Sequence, residues 1–360
     1  MKKNSINNNL NTDIMIEKKN KKKDTLDGPK EDKKKDKSDV PKEDRKKDTL
    51  DVPKEDKKKD KEDKKTIRFK DKYKLLYPIG KGSFGTVCLS ISSKNNKYYA
   101  AKIEERGKRS RIKEEYNFYK ELKTNKKNFA IPKMYDFLQT NEWNIIIMEL
   151  LGDSLDQLFI KNKKQFDVGT VLKLGIEITT ILEEIHNADI IHRDIKPNNF
   201  MIGHPENKRS DKLYIIDFGL SKKYINNGNH ISLKTDRTIT GTARYVSTNI
   251  HMGMEPSRRD DLESVGYMLV FFLKGTLPWQ GLKIKDKEKQ IEMIGNIKLQ
   301  TSYSKLCEGL LPSFEKYLTY CRDQLEFTTK PDYQYLRNLF IKDAADNNIE
   351  LKYWWTENLQ

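Results

Sequence analysis

From about residue 67 onward the chain alternates apolar runs with polar breaks, and each run has a period. Val87-Cys88-Leu89-Ser90-Ile91 alternates in twos, which predicts a strand. A short turn over 93–97 leads to a second predicted strand, Tyr98 to Glu104. Arg111 to Leu122 reads as a helix with Glu114 and Glu115 near its start. Asn144 to Gly152 begins as an unbroken apolar run, the mark of a buried strand, and ends as a connector. Thr170 is expected to cap a helix whose Val171, Leu174, Ile178, Ile181 and Ile185 are spaced 3, 4, 3 and 4, giving one buried stripe. Two further apolar runs, at Ile190-Ile191 and Ile215-Ile216, each end in a polar cluster.

Residues 1–66 show no such pattern. Asp-Gly-Pro-Lys-Glu-Asp at 27–32 returns as Asp-Val-Pro-Lys-Glu-Asp at 39–44 and 51–56, a twelve-residue period. With almost no aromatic or large apolar residues, nothing offsets the entropy of ordering this segment, so a disordered extension is expected. Its short basic runs, Lys21 to Lys23 and Lys57 to Lys59, suit nuclear import or docking to nucleic acid or another anionic surface; a solvated appendage explains them equally well.

Charge changes the picture only a little. The chain carries 70 Lys and Arg against 54 Asp and Glu, and residues 1–66 account for 23 and 17 of these. The patterned part is therefore basic as well, which favours acidic partners without choosing among them. Cys88, Cys307 and Cys321 are odd in number and widely spaced, with neither a disulfide framework nor a metal-ligand pattern. The longest apolar run, Val265 to Leu273, is far shorter than the roughly 20 residues that cross a bilayer. An intracellular protein without a membrane span is expected, cytoplasmic and with access to the nucleus.

Chemistry concentrates where the two late apolar runs end. His192-Arg193-Asp194-Ile195-Lys196-Pro197-Asn198-Asn199 follows the first, and Asp217-Phe218-Gly219 follows the second. Phosphoryl transfer needs a carboxylate to accept a hydroxyl proton, a cation for the moving phosphate, and oxygen ligands for Mg²⁺. Asp194, Lys196, and the pair Asn199 and Asp217 fill those roles in order. Either motif alone is weak; together, each after a strand-like run, they are specific. Upstream, Ile79-Gly80-Lys81-Gly82-Ser83-Phe84-Gly85-Thr86-Val87 is a G-x-G-x-x-G that leads into a strand, not a helix. The next strand carries Ala100-Ala101-Lys102, the arrangement of a protein kinase amino lobe. Lys102 is expected to grip the α- and β-phosphates of ATP, and Glu115, with Glu114 as fallback, to orient it.

The activation segment then departs from most kinases. Thr240-Gly241-Thr242-Ala243-Arg244-Tyr245-Val246 ends in Ser247-Thr248-Asn249, where Ala-Pro-Glu is usual. Arg258-Arg259-Asp260-Asp261-Leu262-Glu263 and Leu277-Pro278-Trp279-Gln280-Gly281 follow. From about Tyr73 to its end the chain resembles the casein kinase I family of serine/threonine kinases. The resemblance implies an α+β, two-lobed protein kinase fold: a small β-rich amino lobe over about 67–151, a larger helical carboxy lobe over about 152–357, and the extension 1–66 in front. It implies Mg-ATP, serine or threonine acceptors near acidic or phosphorylated residues of protein substrates, and a monomer. Ile79, Gly80, Gly82, Ser83, Phe84, Gly85, Val87, Ala100 and Lys102 would enclose the nucleotide, with backbone groups of Glu149 and Leu151 facing adenine and Met148 at the back. Thr242 would hold the base, Asp261 would support the catalytic loop, and Arg244, Lys222 and Arg193 would read a substrate anion. Gln290 stands where the family has a second anion-site lysine, and Asn198 where it has aspartate.

Overall fold

A computed structural model of the protein describes residues 68–69, 72–82, 85–107, 110–124 and 130–358. The repeats of 1–66, and Ser83 and Phe84, lie outside the described residues. The first part is an antiparallel sheet of β1 (Arg68–Phe69), β2 (Tyr73–Lys81), β3 (Thr86–Ser92), β4 (Tyr98–Glu105), β5 (Met134–Gln139) and β6 (Trp143–Met148), in the order β1-β2-β3-β4-β6-β5. One helix, α1 (Ile112–Thr124), lies between β4 and β5 in the chain.

Period two decides what each strand offers. On β6, Ile145 and Ile147 join Tyr99, Ala101 and Leu138 on one face. Ile146 and Met148 join Ala100 and Ile112 on the other, beneath α1. Both faces are covered, so the strand reads as a continuous apolar run. On β4, Lys102 shares the α1 side with Ala100, because side chains two apart point the same way. Sheet geometry thus delivers a lysine to a helix that opens with acidic residues.

The second part is helical. It comprises α2 (Leu155–Lys161), α3 (Val168–His186), α4 (Thr248–His251), α5 (Arg258–Lys274), α6 (Lys287–Gln300), α7 (Tyr303–Leu306), α8 (Pro312–Thr319) and α9 (Tyr333–Asp346), with a short helix at Trp354–Asn358. Short strands β7 (Ile190–Ile191), β8 (Phe200–Ile202), β9 (Leu213–Ile215) and β10 (Lys222–Lys223) carry the loops between α3 and α4. Asp167, not Thr170, caps α3: its backbone is extended and its carboxylate accepts the Thr170 N–H at 2.8 Å. Nor is α3 buried along one stripe alone; Leu172, Gly175 and Leu182 are buried too. A Cβ at Gly175 would meet the Phe340 ring at 2.6 Å, so glycine lets α9 pack this closely. The α5 helix is enclosed along nearly its whole length, including the charged Asp260, Asp261 and Glu263.

All three cysteines are buried and unpaired. Among the described residues no helix is long and apolar enough to cross a membrane.

Candidate active site

The loop after β7 is shaped by a carboxylate beneath it. Asp261 on α5 accepts the N–H of His192 at 2.7 Å and of Arg193 at 2.8 Å, and meets His186 Nε2 at 3.1 Å. Burial alone would raise this carboxyl; the contacts with His186 and His192 overcome it and hold it below its ordinary value. Arg193 adopts φ +67°, a left-handed conformation rare outside glycine, and the twin bonds to Asp261 oppose the strain.

Asp194 then points into a polar cleft, 5 % exposed. Its Oδ2 accepts from Lys196 Nζ at 2.6 Å and Asn199 Nδ2 at 3.2 Å, and its Oδ1 from Thr242 Oγ1 at 2.8 Å. Asn199 also donates to the Asp194 carbonyl at 2.8 Å. That bond fixes the amide so that its Oδ1 stays free of protein donors among the described residues.

Asp217 follows β9, again with positive φ, +69°. Its N–H donates to the Tyr119 hydroxyl of α1 at 3.0 Å, and Phe218 packs edge-on between Tyr119 and His192. Lys102 Nζ lies 2.8 Å from Asp217 Oδ1 and 2.6 Å from Glu115 Oε2. Glu115, 1 % exposed, is the partner; Glu114 is exposed. Burial by itself would lower the Lys102 ammonium, but Glu115 and Asp217 outweigh it and raise it above its usual value. Burial pushes Glu115 up to about 7 while the ammonium opposes it. Asp217 would also be raised by burial, yet Lys102 brings it below the ordinary carboxylate value. The second carboxylate therefore keeps the lysine charged.

Between β2 and β3 the Gly82 N–H is bonded to the Gly85 carbonyl at 2.8 Å. Its glycines serve different ends. A Cβ at Gly85 would collide with the Ile103 carbonyl of β4, a close approach within the sheet. Cβ atoms at Gly80 and Gly82 would meet protein only at 3.7 and 3.8 Å, so protein packing does not require glycine there. Ile79 is exposed, Val87 half-buried, and Ala100 and Leu151 buried. Among the described residues, the Glu149 carbonyl and the Leu151 N–H and carbonyl make no backbone hydrogen bond outside the strands. They form an unpaired acceptor–donor–acceptor edge of the kind that pairs with a planar base. The Glu149 side chain is turned away, to the Lys133 N–H and Arg209.

The three basic residues expected to gather around an anion divide into two places. Lys222 Nζ bonds Glu255 Oε1 at 2.6 Å, Arg237 Nε lies 3.0 Å from Glu255 Oε2, and Arg193 Nε donates to the Leu220 carbonyl. Arg193, Arg237 and Glu255, with Asp236, Thr238 and Thr240, line a cavity of about 310 Å³. Burial would raise Glu255, but Lys222 and then Arg237 bring it below its ordinary value. Arg244 stands outside that cavity: its guanidinium lies 5.5 Å from the Phe271 ring centroid and its Nη1 reaches the Tyr245 hydroxyl at 3.4 Å. Gln290 donates to the Leu282 carbonyl at 3.4 Å.

Sequence reasoning missed Arg237, which sits in a polar stretch with no motif to mark it. It also missed Lys298 of α6, buried beneath the segment that bears Thr242 and donating to the Ala243 and Val246 carbonyls. The family model described as protein kinase domain matches residues 73–322.

Proposed function

The chain belongs to the protein kinase family, and from that premise we propose that it is an active serine/threonine kinase of the casein kinase I type, directed to acidic or phosphorylated protein segments. The family brings ATP and a divalent cation; the donor set here suits Mg²⁺. The Asn199 Oδ1 and the Asp217 carboxylate are hard oxygens, and among the described residues no cluster of three His, Cys, Asp or Glu side chains could hold a metal. Such a site leaves the rest of the metal's shell to water and phosphate. When bound, the ion neutralises charge on the phosphates.

The chain's own groups do the remaining work. Gly80 and Gly82 give the backbone room to approach the phosphates, and Lys102, charged through Glu115 and Asp217, holds them. The base edge at Glu149 and Leu151 orients the nucleotide. Asp194 accepts the proton of the substrate hydroxyl as its oxygen bonds to the γ-phosphorus and the bond from phosphorus to the β-γ bridging oxygen breaks. Lys196, 2.6 Å from the base, offsets the charge that spreads over the phosphoryl oxygens.

One observation carries the reading: Asp194 receives Lys196 and Asn199 on one oxygen and Thr242 on the other. Its carboxylate is oriented by the activation segment, at the hydroxyl's side of the reaction. The acidic preference rests on Arg193, Lys222 and Arg237 set against two carboxylates, Glu255 and Asp236, which leaves one positive charge in excess. No observation favours a non-catalytic scaffold.

The test is γ-phosphoryl transfer from Mg-ATP to serine peptides with phosphoserine, aspartate or alanine three residues before the acceptor, beside a tyrosine peptide. Transfer to the first two serine peptides, absent with Asp194→Asn, is expected. Transfer to the tyrosine peptide alone would refute the acceptor reading. Equal rates on all three serine peptides would refute the acidic preference.

A further inference from the structure

A second groove opens beside the cavity that holds Arg193 and Arg237. It has a volume of about 480 Å³ and lies between the activation segment, the end of α4 and one face of α6. Ile239, Met252, Ile291 and Leu299 supply an apolar lining, and Glu288 and Glu292 stand in the same wall. Met252 and Leu299 are among the exposed large apolar side chains of the protein.

The two carboxylates set the chemistry. Glu288 and Glu292 are four apart on one helix, so they share a face, and like charges so placed repel. Both are exposed, and neither makes a side-chain ion pair or hydrogen bond among the described residues. A carboxylate at Glu288, in the first turn of α6, is favoured by the helix dipole; Glu292 lies a turn further on and gains nothing from it. A paired negative charge over an apolar floor, in a chain of net positive charge, calls for a partner with a large apolar side chain beside a cation.

Position says when that partner arrives. Thr238 lines both this groove and the cavity that holds Arg193 and Arg237, so the two are adjacent. Ile239 is three residues from Thr242, which touches Asp194; extended chain spans at most about 11 Å over that distance. A peptide whose hydroxyl lies at Asp194 therefore reaches the groove within about four residues.

We propose that this groove is a specificity subsite for the substrate segment itself, taking a large apolar residue next to Lys or Arg within four residues of the phosphorylated hydroxyl. The inference rests on the kinase reading above. It makes recognition two-signed: an acidic or phosphorylated residue at Arg193 and Arg237, an apolar-basic pair at α6.

The experiment uses fluorescein-labelled serine peptides that share an aspartate block and carry Leu-Arg, Leu-Glu or Ala-Arg at successive placements up to four residues either side of the serine. The readout is the ratio of kcat/KM values within each enzyme, for the full chain, Glu288→Lys/Glu292→Lys and Leu299→Asp. At one placement Leu-Arg should exceed Leu-Glu by roughly five- to tenfold, the scale of two exposed ion pairs. The charge-reversed enzyme should invert that ratio, and Leu299→Asp should bring Leu-Arg down to Ala-Arg. Ratios within twofold at every placement, or unchanged in the charge-reversed enzyme, overturn the proposal. If no peptide is phosphorylated, the kinase reading fails, and anisotropy of the same peptides judges the groove alone. Tighter Leu-Arg binding that is lost on charge reversal supports it, and equal binding overturns it.

Discussion

Lys298 Nζ donates to the Val246 carbonyl at 2.5 Å from a position that is 1 % exposed. The same ammonium reaches the Ala243 carbonyl at 2.9 Å and lies near the Tyr267 and Trp279 rings, whose faces suit a desolvated cation. Trp279 in turn donates to the Arg244 carbonyl at 2.8 Å. Three carbonyls of the stretch after Thr242 are thus tied to groups beneath it. Burial lowers the ammonium to about 7, with Glu263 opposing. Lys298→Met should lower kcat about tenfold or more by loosening Thr242 against Asp194, with KM for ATP within about twofold. Burying an ammonium is itself costly, so its loss partly offsets the orphaned carbonyls and the melting midpoint should move little. Steady-state kinetics with a thermal melt decide it; an unchanged kcat refutes the positioning role.

Lys102→Met removes the charge between Glu115 and Asp217. Both carboxylates then face each other in a buried site, and Glu115 should become protonated at neutral pH. Transfer should fall by about 10²-fold or more. Peptide binding, measured separately by anisotropy, should change far less, because the acceptor side hangs on α5. A comparable loss of peptide binding would show that the lysine holds the whole cleft.

Gly85→Ala places a Cβ against the Ile103 carbonyl, so β3 must move away from β4. A destabilisation of about 1–3 kcal/mol is expected, as for overpacking elsewhere. Gly80→Ala meets no such obstacle and should leave the melt nearly unchanged while raising KM for ATP. Chemical denaturation and ATP titration of the two variants separate a packing glycine from a phosphate-facing one. Equal melts would remove the distinction.

His251 supplies a pH signature. Its imidazole bonds the Ala243 carbonyl at 3.3 Å, and burial, then Lys298, lower it from about 6.5 to about 4. Between those values the unfolded chain binds the proton and the folded one does not. Stability should fall as pH drops from about 6.5 to 4, by up to about 1.4 kcal/mol per unit. Asp260, raised by burial to about 6, acts in the opposite sense from about 3.8 to 6. The diagnostic is therefore the difference between the native chain and His251→Asn in melts across this range. That difference should change steadily with pH; a constant offset sinks the assignment.

The residues read most readily from sequence are those whose roles follow chain order. Asp194, Asn199 and Asp217 stand in two motifs after apolar runs, and the fold brings them together because β7 and β9 end near the same cleft. Glu115 could be singled out from the start of a helix. Arg237 and Lys298 gave no such signal: each acts on a group distant in the chain, a carboxylate or two carbonyls, and a lone basic residue in a polar stretch looks like any solvated one. Thr170 and Asp167 are both good capping residues, and only the extended backbone at Asp167 chose between them. Arg244 and Lys222, grouped through the family resemblance, turn to different partners: the guanidinium lies over Phe271 while the ammonium turns to Glu255.

Asp261 gives the catalytic loop to the buried α5 helix, while Lys102 and Glu115 belong to the sheet and α1. The proposed seat of the hydroxyl and the proposed grip on the phosphate are thus fastened to different elements, and the bond from Lys102 to Asp217 ties them together. Under the proposed function, a shift of α1 and its sheet against α5 would alter the gap a phosphoryl group must cross. A change that breaks this tie is expected to yield a protein that still holds nucleotide and peptide and transfers nothing between them.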